Sequence, residues 1–534
     1  MLESMPSSRV DLTVDEALQQ SIGELGRGQR WRFCLASLGL VPAAMQTYVM
    51  YFVGVEPFRQ GFWQCVEPAD SICLSARKSI GHSACHLAPD VWDWTNRGQS
   101  IASEWDLVCG NAWKLHLVHA AFFAGCIIGV TTFAALSQHL GRKKVLGLSA
   151  ILAGLSGLAS AAAPAYWWYM GLRVCSGAAA ASMTLAARAL AIEPIGPTWR
   201  GMAGVASCFF TILGGLVTIL IAFLVPSWRA VSFLAAVPCI MYPALLPSLY
   251  ESSSWLLSVG RKGEAIAGLA AIASANKTHL PDLPLGNSTA ARAEQKGMLV
   301  MLRHARLRKR LLIMLAVSAC ASQVYFGVSL SLQDMAGAVY VNQAAGFAIE
   351  SAGCALALLV MTRLGCRVTV AYSILQGGTA CLLCALTSGG LQRVWALAGR
   401  FGAASAVSLA QLYLAELLSS DVQHAALAAA AQASQLGAMA APALMMLTQL
   451  PSAASVPFFV WGPTAVVAGL LLWLLPDTLG ASIPTSVQDM GEALSSARRL
   501  KIKWPRWPGV RQLFKNKNQS SQWTRLNDID PDQE

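Results

Sequence analysis

Residues 344–361 read AAGFAIESAGCALALLVM, and Glu350 is the one acidic or basic side chain among them. A carboxylate in so apolar a stretch has three uses. It binds a cation, carries a proton, or neutralises a buried guanidinium, because an idle charge in hydrocarbon costs several kilocalories. Arg173 and Arg400 lie in similarly apolar stretches and are the candidate partners. A second group with chemistry is Cys65, Cys73, Cys85 and Cys109, spread through a polar segment. Clustered cysteines outside a cell form disulfides, and four of them allow three pairings. The HSACH stretch at 82–86 raises metal ligation as an alternative, but its spacing implies no ligand geometry and no metal is expected.

The elements that hold these residues follow from composition. Hydrophobic residues make up 55% of the 534 and charged residues 13%, too little charge to cover a soluble domain of this length. Apolar runs long enough to cross about 30 Å of hydrocarbon recur along the chain. Twelve are expected, near 31–54, 114–136, 145–163, 166–192, 202–224, 229–249, 311–330, 339–361, 369–388, 392–418, 424–448 and 456–475. The fold class is an all-α polytopic membrane protein.

Basic residues orient it. Arg261, Lys262, Lys277, Arg292, Lys296, Arg303, Arg306, Arg308, Lys309 and Arg310 lie between spans six and seven. A second basic group, from Arg498 to Lys517, follows span twelve. If spans alternate, all fall on one side, which is cytoplasmic by the positive-inside rule, with both termini there. Much of the net charge of +11 is this topology signal, so nucleic acid is not an expected partner. The loop 55–113 is then external.

The chain also repeats. LSQHLGRKK (136–144) after span two matches MTRLGCRVT (361–369) after span eight, and AIEPIGPTWR (191–200) after span four matches LAELLSSDVQ (414–423) after span ten. Two six-helix halves are implied, and transporters built from such repeats bind substrate near the midplane between them. The expected organisation is an N-terminal segment 1–30, a half at 31–254, a linker at 255–310, a second half at 311–478, and a basic tail at 479–534.

Three stretches carry a family resemblance: SIASEWDLVC (100–109) closing the external loop, VYFGVSL (324–330) in span seven, and LPDTLGASIPTSVQDM (475–490) after span twelve. Together they resemble the organic cation/anion/zwitterion transporters of the major facilitator superfamily (solute carrier family 22). The resemblance spans about residues 25 to 490. It implies a carrier of small organic ions working by alternating access, with the plasma membrane as the family's usual site. An organic cation or a carnitine-, betaine- or choline-like zwitterion is the leading expectation. An organic anion, or a non-transporting receptor-like role, is the alternative.

The resemblance also implies a cytoplasmic charge latch, carried here by Arg142, Glu193, Arg200, Arg363, Arg367 and Glu416. Two departures weaken it. Gln138 stands where the family has an Asp, and the Pro-Glu-Ser-Pro-Arg-Trp motif survives only as Tyr250-Glu251-Ser252-Ser253-Ser254-Trp255. A depleted latch is expected to favour an inward-open resting form.

Glu350 lies eleven residues into span eight, roughly 16 Å at the helical rise and so near the midplane. The family has an acid at this place, which implies a cavity-facing role. Tyr325 and Phe326 match its pocket aromatics, and Phe210 is a further candidate; ring faces hold quaternary ammonium groups. Gln435 stands where relatives carry an Asp or an Arg according to substrate charge, so it favours neither sign. Arg400 is the candidate for a carboxylate. Gln46, Gln323, Gln411 and Gln432 are possible hydrogen-bonding residues. Neither a phosphate-binding GxxxxGK[ST] stretch nor an HExxH or GxSxG context occurs, so no nucleotide, cofactor or enzymatic activity is expected.

Overall fold

The computed structural model describes residues 13–279 and 302–478, apart from positions 56, 59–60, 68–70, 79–84, 89, 336, 419 and 450–454. The basic tail 479–534, part of the 255–310 linker and His82 of the HSACH stretch lie outside these residues.

Ten described helices are long and apolar enough to cross a membrane: Arg27–Val53, Cys109–Leu140, Arg142–Ala161, Tyr166–Ile192, Pro197–Leu224, Trp228–Ser248, Ala305–Asp334, Val339–Leu364, Cys366–Leu386 and Val456–Leu474. Two more of matching length, Gly389–Leu417 and Ser420–Met445, fill the tenth and eleventh places. In chain order these are spans one to twelve. The expected spans are all present. Span seven starts earlier than its apolar core because the basic run from Ala305 continues the same helix.

The outer surface is apolar, with Leu148, Leu155, Leu213, Leu220 and Leu359 exposed where lipid tails would cover them. Trp167 and Trp168 project at the start of span four, as expected for rings at a membrane interface. Inside, helices touch through small residues. A side chain at Gly125 of span two would place its Cβ 2.0 Å from the Val174 carbonyl oxygen of span four, so only glycine lets these backbones meet.

The repeat has a structural counterpart. Gly141 and Gly365 end spans two and eight with φ of +87° and +83°, a conformation that favours glycine and turns the chain directly into the next helix. The segments 1–30 and 255–310 hold elements that their polar composition did not announce. Helices Val14–Ala17, Ser253–Ser258 and Lys262–Asn276 bury Ala17, Leu18 and Ile22 against Trp255, Leu257, Leu269 and Ile272.

The loop between spans one and two has its own small core. Strands β1 (Trp63–Cys65) and β2 (Trp92–Trp94) pair antiparallel, and Phe58, Trp63, Cys73 and Trp94 are buried together. The disulfides are Cys65–Cys73 and Cys85–Cys109. Each residue of the Glu-Trp-Asp motif has a task in seating this loop. Glu104 accepts hydrogen bonds from Trp228 Nε1 and Arg229 of span six. Trp105 packs between Tyr169 and Trp228, with ring centroids at 5.5 and 5.3 Å. Asp106 accepts from Trp94 Nε1 at 2.8 Å.

Candidate functional site

Span eight presents one stripe inward. Gln343, Phe347, Glu350 and Cys354 recur at intervals of three or four, so they share one helical face, and all four are buried. Glu350 pairs with Arg400 of span ten, whose Nε and Nη2 donate to Oε2 at 3.2 and 3.0 Å. Arg400 Nη1 donates to Gln343 Oε1 at 3.1 Å, and Gln343 Nε2 donates to the Ser329 carbonyl of span seven. The guanidinium lies over the Phe347 ring at 4.4 Å. Of the two candidate arginines, Arg400 and not Arg173 is the partner.

The cluster reaches both halves. Tyr325 of span seven donates its hydroxyl to Glu350, 3.1 Å from Oε1 and 3.0 Å from Oε2. Its oxygen lies 2.8 Å from that of Tyr48 in span one. Tyr325 has one proton, directed at the carboxylate, so Tyr48 is the donor between the two. Phe347 meets the Tyr48 ring edge-on at 5.0 Å and abuts Gly215 of span five. Among the described residues, Glu350 Oε1 accepts only from Tyr325.

The other expected site residues are partly gathered. Phe326 crosses the seam to Phe123 of span two, ring centroids 4.6 Å apart. Phe210 packs instead beside Phe33 among Leu35, Met183 and Leu190, apart from the Glu350 cluster. Gln435 is half-buried and makes no hydrogen bond among the described residues; one turn earlier, Gln432 donates to Thr131 Oγ1 of span two at 2.6 Å. Gln46 donates to the Ala235 carbonyl and accepts from Ser176, wholly within the first half.

Gln343, Phe347 and Tyr48 escaped the sequence reading. The three-and-four spacing on span eight pointed to the first two. Gln46-Thr-Tyr48 repeats Gln323-Val-Tyr325, which pointed to the third.

Arg173 is the unexpected charge. It is 2% exposed, donates to the Gln46 carbonyl at 2.8 Å and lies 4.6 Å over Phe122, yet no carboxylate among the described residues pairs with it. Its Nε has no partner.

At the end that carries the Gly141 and Gly365 turns, none of the described ion pairs joins the two halves. Arg142 reaches Glu193 at 3.4 Å and Arg367 reaches Asp477 at 3.5 Å. Arg200 pairs with Asp15 of the N-terminal segment, and Glu416 accepts from Thr478 at 2.7 Å. Glu251, the surviving acid of the altered motif, accepts from the Arg142 and Lys143 backbone N–H groups at the start of span three.

At the opposite end, rings cross between the halves. Tyr340 of span eight stacks on Phe52 of span one at 5.8 Å and meets Phe223 of span five at 5.7 Å.

Residues 92–485 match the sugar (and other) transporter family profile, which is more than half of the chain. The chain belongs to that family. This transporter is 33% identical over 508 residues to organic cation/carnitine transporter 4 of Arabidopsis thaliana, covering 91% of this chain and 93% of that one. It is 29% identical to solute carrier family 22 member 13 of Homo sapiens over 405 residues, 75% of this chain and 73% of the relative. The resemblance read from the three motifs is borne out. Among solved structures, the inward-open xylose transporter XylE from E. coli superposes with a TM-score of 0.60 at 16% identity, covering 87% of this chain and 99% of that one. That likeness establishes the major facilitator fold alone. The chain is a multi-pass membrane transporter with two six-helix halves.

Proposed function

We propose that this transporter carries a small organic cation or a zwitterion, by alternating access across the plasma membrane, with both termini in the cytoplasm. The observation that carries the reading is the Glu350 cluster. A carboxylate at mid-depth is held by Arg400 and Tyr325, and Tyr325 is bonded to Tyr48 of the other half. An ammonium group arriving between the halves meets Glu350 Oε1 and the faces of Tyr48, Tyr325 and Phe326. Its removal lets those halves part. Curated relatives named as organic cation/carnitine transporters support the same substrate class.

Arg400 serves to orient Glu350 and to balance its charge. Gln435 flanks the path farther from the charge, and Phe210 packs beside Phe33 outside it. Arg142, Glu193, Arg200, Arg363, Arg367 and Glu416 tune the inner gate, and the ring closure by Phe52, Tyr340 and Phe223 makes the outer one. The chain acts as a carrier rather than an enzyme. Its partners are the substrate and the bilayer, with neither nucleotide nor nucleic acid required.

Arg173 favours a second reading. With Glu350 and Arg400 cancelling, it leaves one buried positive charge without a carboxylate, which suits a substrate that brings its own. A zwitterion satisfies both poles and an organic anion satisfies Arg173 alone. Uptake of labelled tetraethylammonium, carnitine and benzoate by cells expressing the chain separates these. Saturable uptake of tetraethylammonium or carnitine is expected, and uptake of benzoate alone overturns the cation and zwitterion reading.

A further inference from the structure

Four residues beyond Glu350 on the inward stripe of span eight lies Cys354, about 6 Å farther along the helix toward the cytoplasmic end. It is buried and faces span ten, where its Sγ is 3.7 Å from Ser408 Oγ. Cys208 of span five approaches the same hydroxyl from the other half, Sγ to Oγ 3.1 Å. Ser408 Oγ lies within contact distance of both sulfurs. Two free cysteines, one from each half, thus meet across the seam that alternating access has to open. Neighbouring packing is equally close, since Gly201 of span five lies against Leu412 of span ten.

Both structural disulfides lie in the external loop of the first half, so neither joins the halves.

We propose that Cys208 and Cys354 form a reversible oxidation site, at which a peroxide converts the pair to a disulfide that staples the two halves and arrests transport. In the first step the Cys208 sulfur attacks the peroxide, and the O–O bond breaks to give a sulfenic acid and water. In the second, the Cys354 sulfur attacks the Cys208 sulfur and releases the second water. Two thiols lose two electrons and two protons in all, and one hydrogen peroxide becomes two waters. A small dithiol reverses the change by exchange. The consequence follows from geometry: a disulfide holds its two Cβ atoms about 3.8 Å apart, a spacing that persists only while spans five and eight stay together.

The test uses the full chain with a protease site inserted in the linker between spans six and seven. Membranes are treated with hydrogen peroxide, cleaved, and run on a non-reducing gel, and uptake is measured on uncleaved samples. The expected result is two halves that migrate as one, separate after dithiothreitol, and show at least tenfold lower uptake while joined. Cys208→Ser and Cys354→Ala should each abolish the linkage and make uptake insensitive to peroxide. Halves that separate in the oxidised wild type, a linkage that survives either substitution, or joined halves with full uptake would each overturn the proposal. The wild-type gel decides the matter even if a variant fails to reach the membrane.

Discussion

Glu251 accepts the backbone N–H of Arg142 at 2.9 Å and that of Lys143 at 3.1 Å, so the acid kept from a degraded motif caps the helix of span three. The positive end of that helix meets a carboxylate, an arrangement worth about 0.5–2 kcal/mol. The Arg142–Glu193 pair beside it is about a quarter exposed, where solvent screening leaves about 1 kcal/mol or less. Glu251→Ala should therefore lower the thermal midpoint more than Glu193→Ala does. Thermal unfolding of the purified variants in detergent checks the order, and a larger loss at Glu193 would contradict it.

The two disulfides close loops of different size, with sequence separations of 8 and 24. Loop-closure entropy makes the longer one the greater constraint on the unfolded chain, each contributing about 2–4 kcal/mol. Cys85–Cys109 also fixes the end of the segment in which Glu104, Trp105 and Asp106 dock. Cys85→Ser should reduce surface delivery more than Cys73→Ser, as read by surface biotinylation. Equal loss from the two would argue that the loop core, rather than the tether, sets stability.

Much of this architecture was legible in the sequence because the bilayer imposes it. Any segment that crosses must be long, apolar and helical, and the repeated Gly141 and Gly365 turns betrayed the two halves. Glu350 was legible for the same reason, since a charge in that setting is conspicuous. Its partner was not. Arg173 and Arg400 sit in similar sequence, and only packing decides between them: Gly346 of span eight leaves room for the Arg400 guanidinium, whose Nη1 a Cβ there would meet at 2.6 Å. The partner of Arg200 was equally hidden, because Asp15 lies on a helix of a segment that reads as plain polar chain. Phe210 looked like a pocket aromatic by type, and only packing shows it beside Phe33.

Two glycines should respond differently to alanine. At Gly125 the new Cβ would meet a backbone oxygen at 2.0 Å, so spans two and four must separate, and low expression is expected. At Gly215 it would meet the far edge of the Phe347 ring at 2.2 Å, which a side chain can relieve by rotating. Overpacking of this kind costs about 1–3 kcal/mol. Gly215→Ala should reach the surface yet transport several-fold more slowly, because Phe347 no longer covers Arg400. Uptake normalised to surface protein measures this. Normal turnover in Gly215→Ala would detach Phe347 from the transport site.

The Glu350–Arg400 pair separates stability from function. Both side chains are almost wholly buried, so Glu350→Gln leaves Arg400 charged without its counter-ion, a loss of about 3–5 kcal/mol. Stability should fall with it. Replacing both members, Glu350→Gln with Arg400→Met, removes the stranded charge and should recover most of the thermal midpoint, since a buried pair is often exchanged for neutral residues at little cost. Transport should not recover. If Glu350 is the negative pole for the substrate's cationic group, both variants lose at least tenfold in cation uptake, equivalent to about 1.4 kcal/mol or more. A double variant that regains both its thermal midpoint and its uptake would make the pair a structural tie between spans eight and ten, and would move the substrate's cationic site elsewhere.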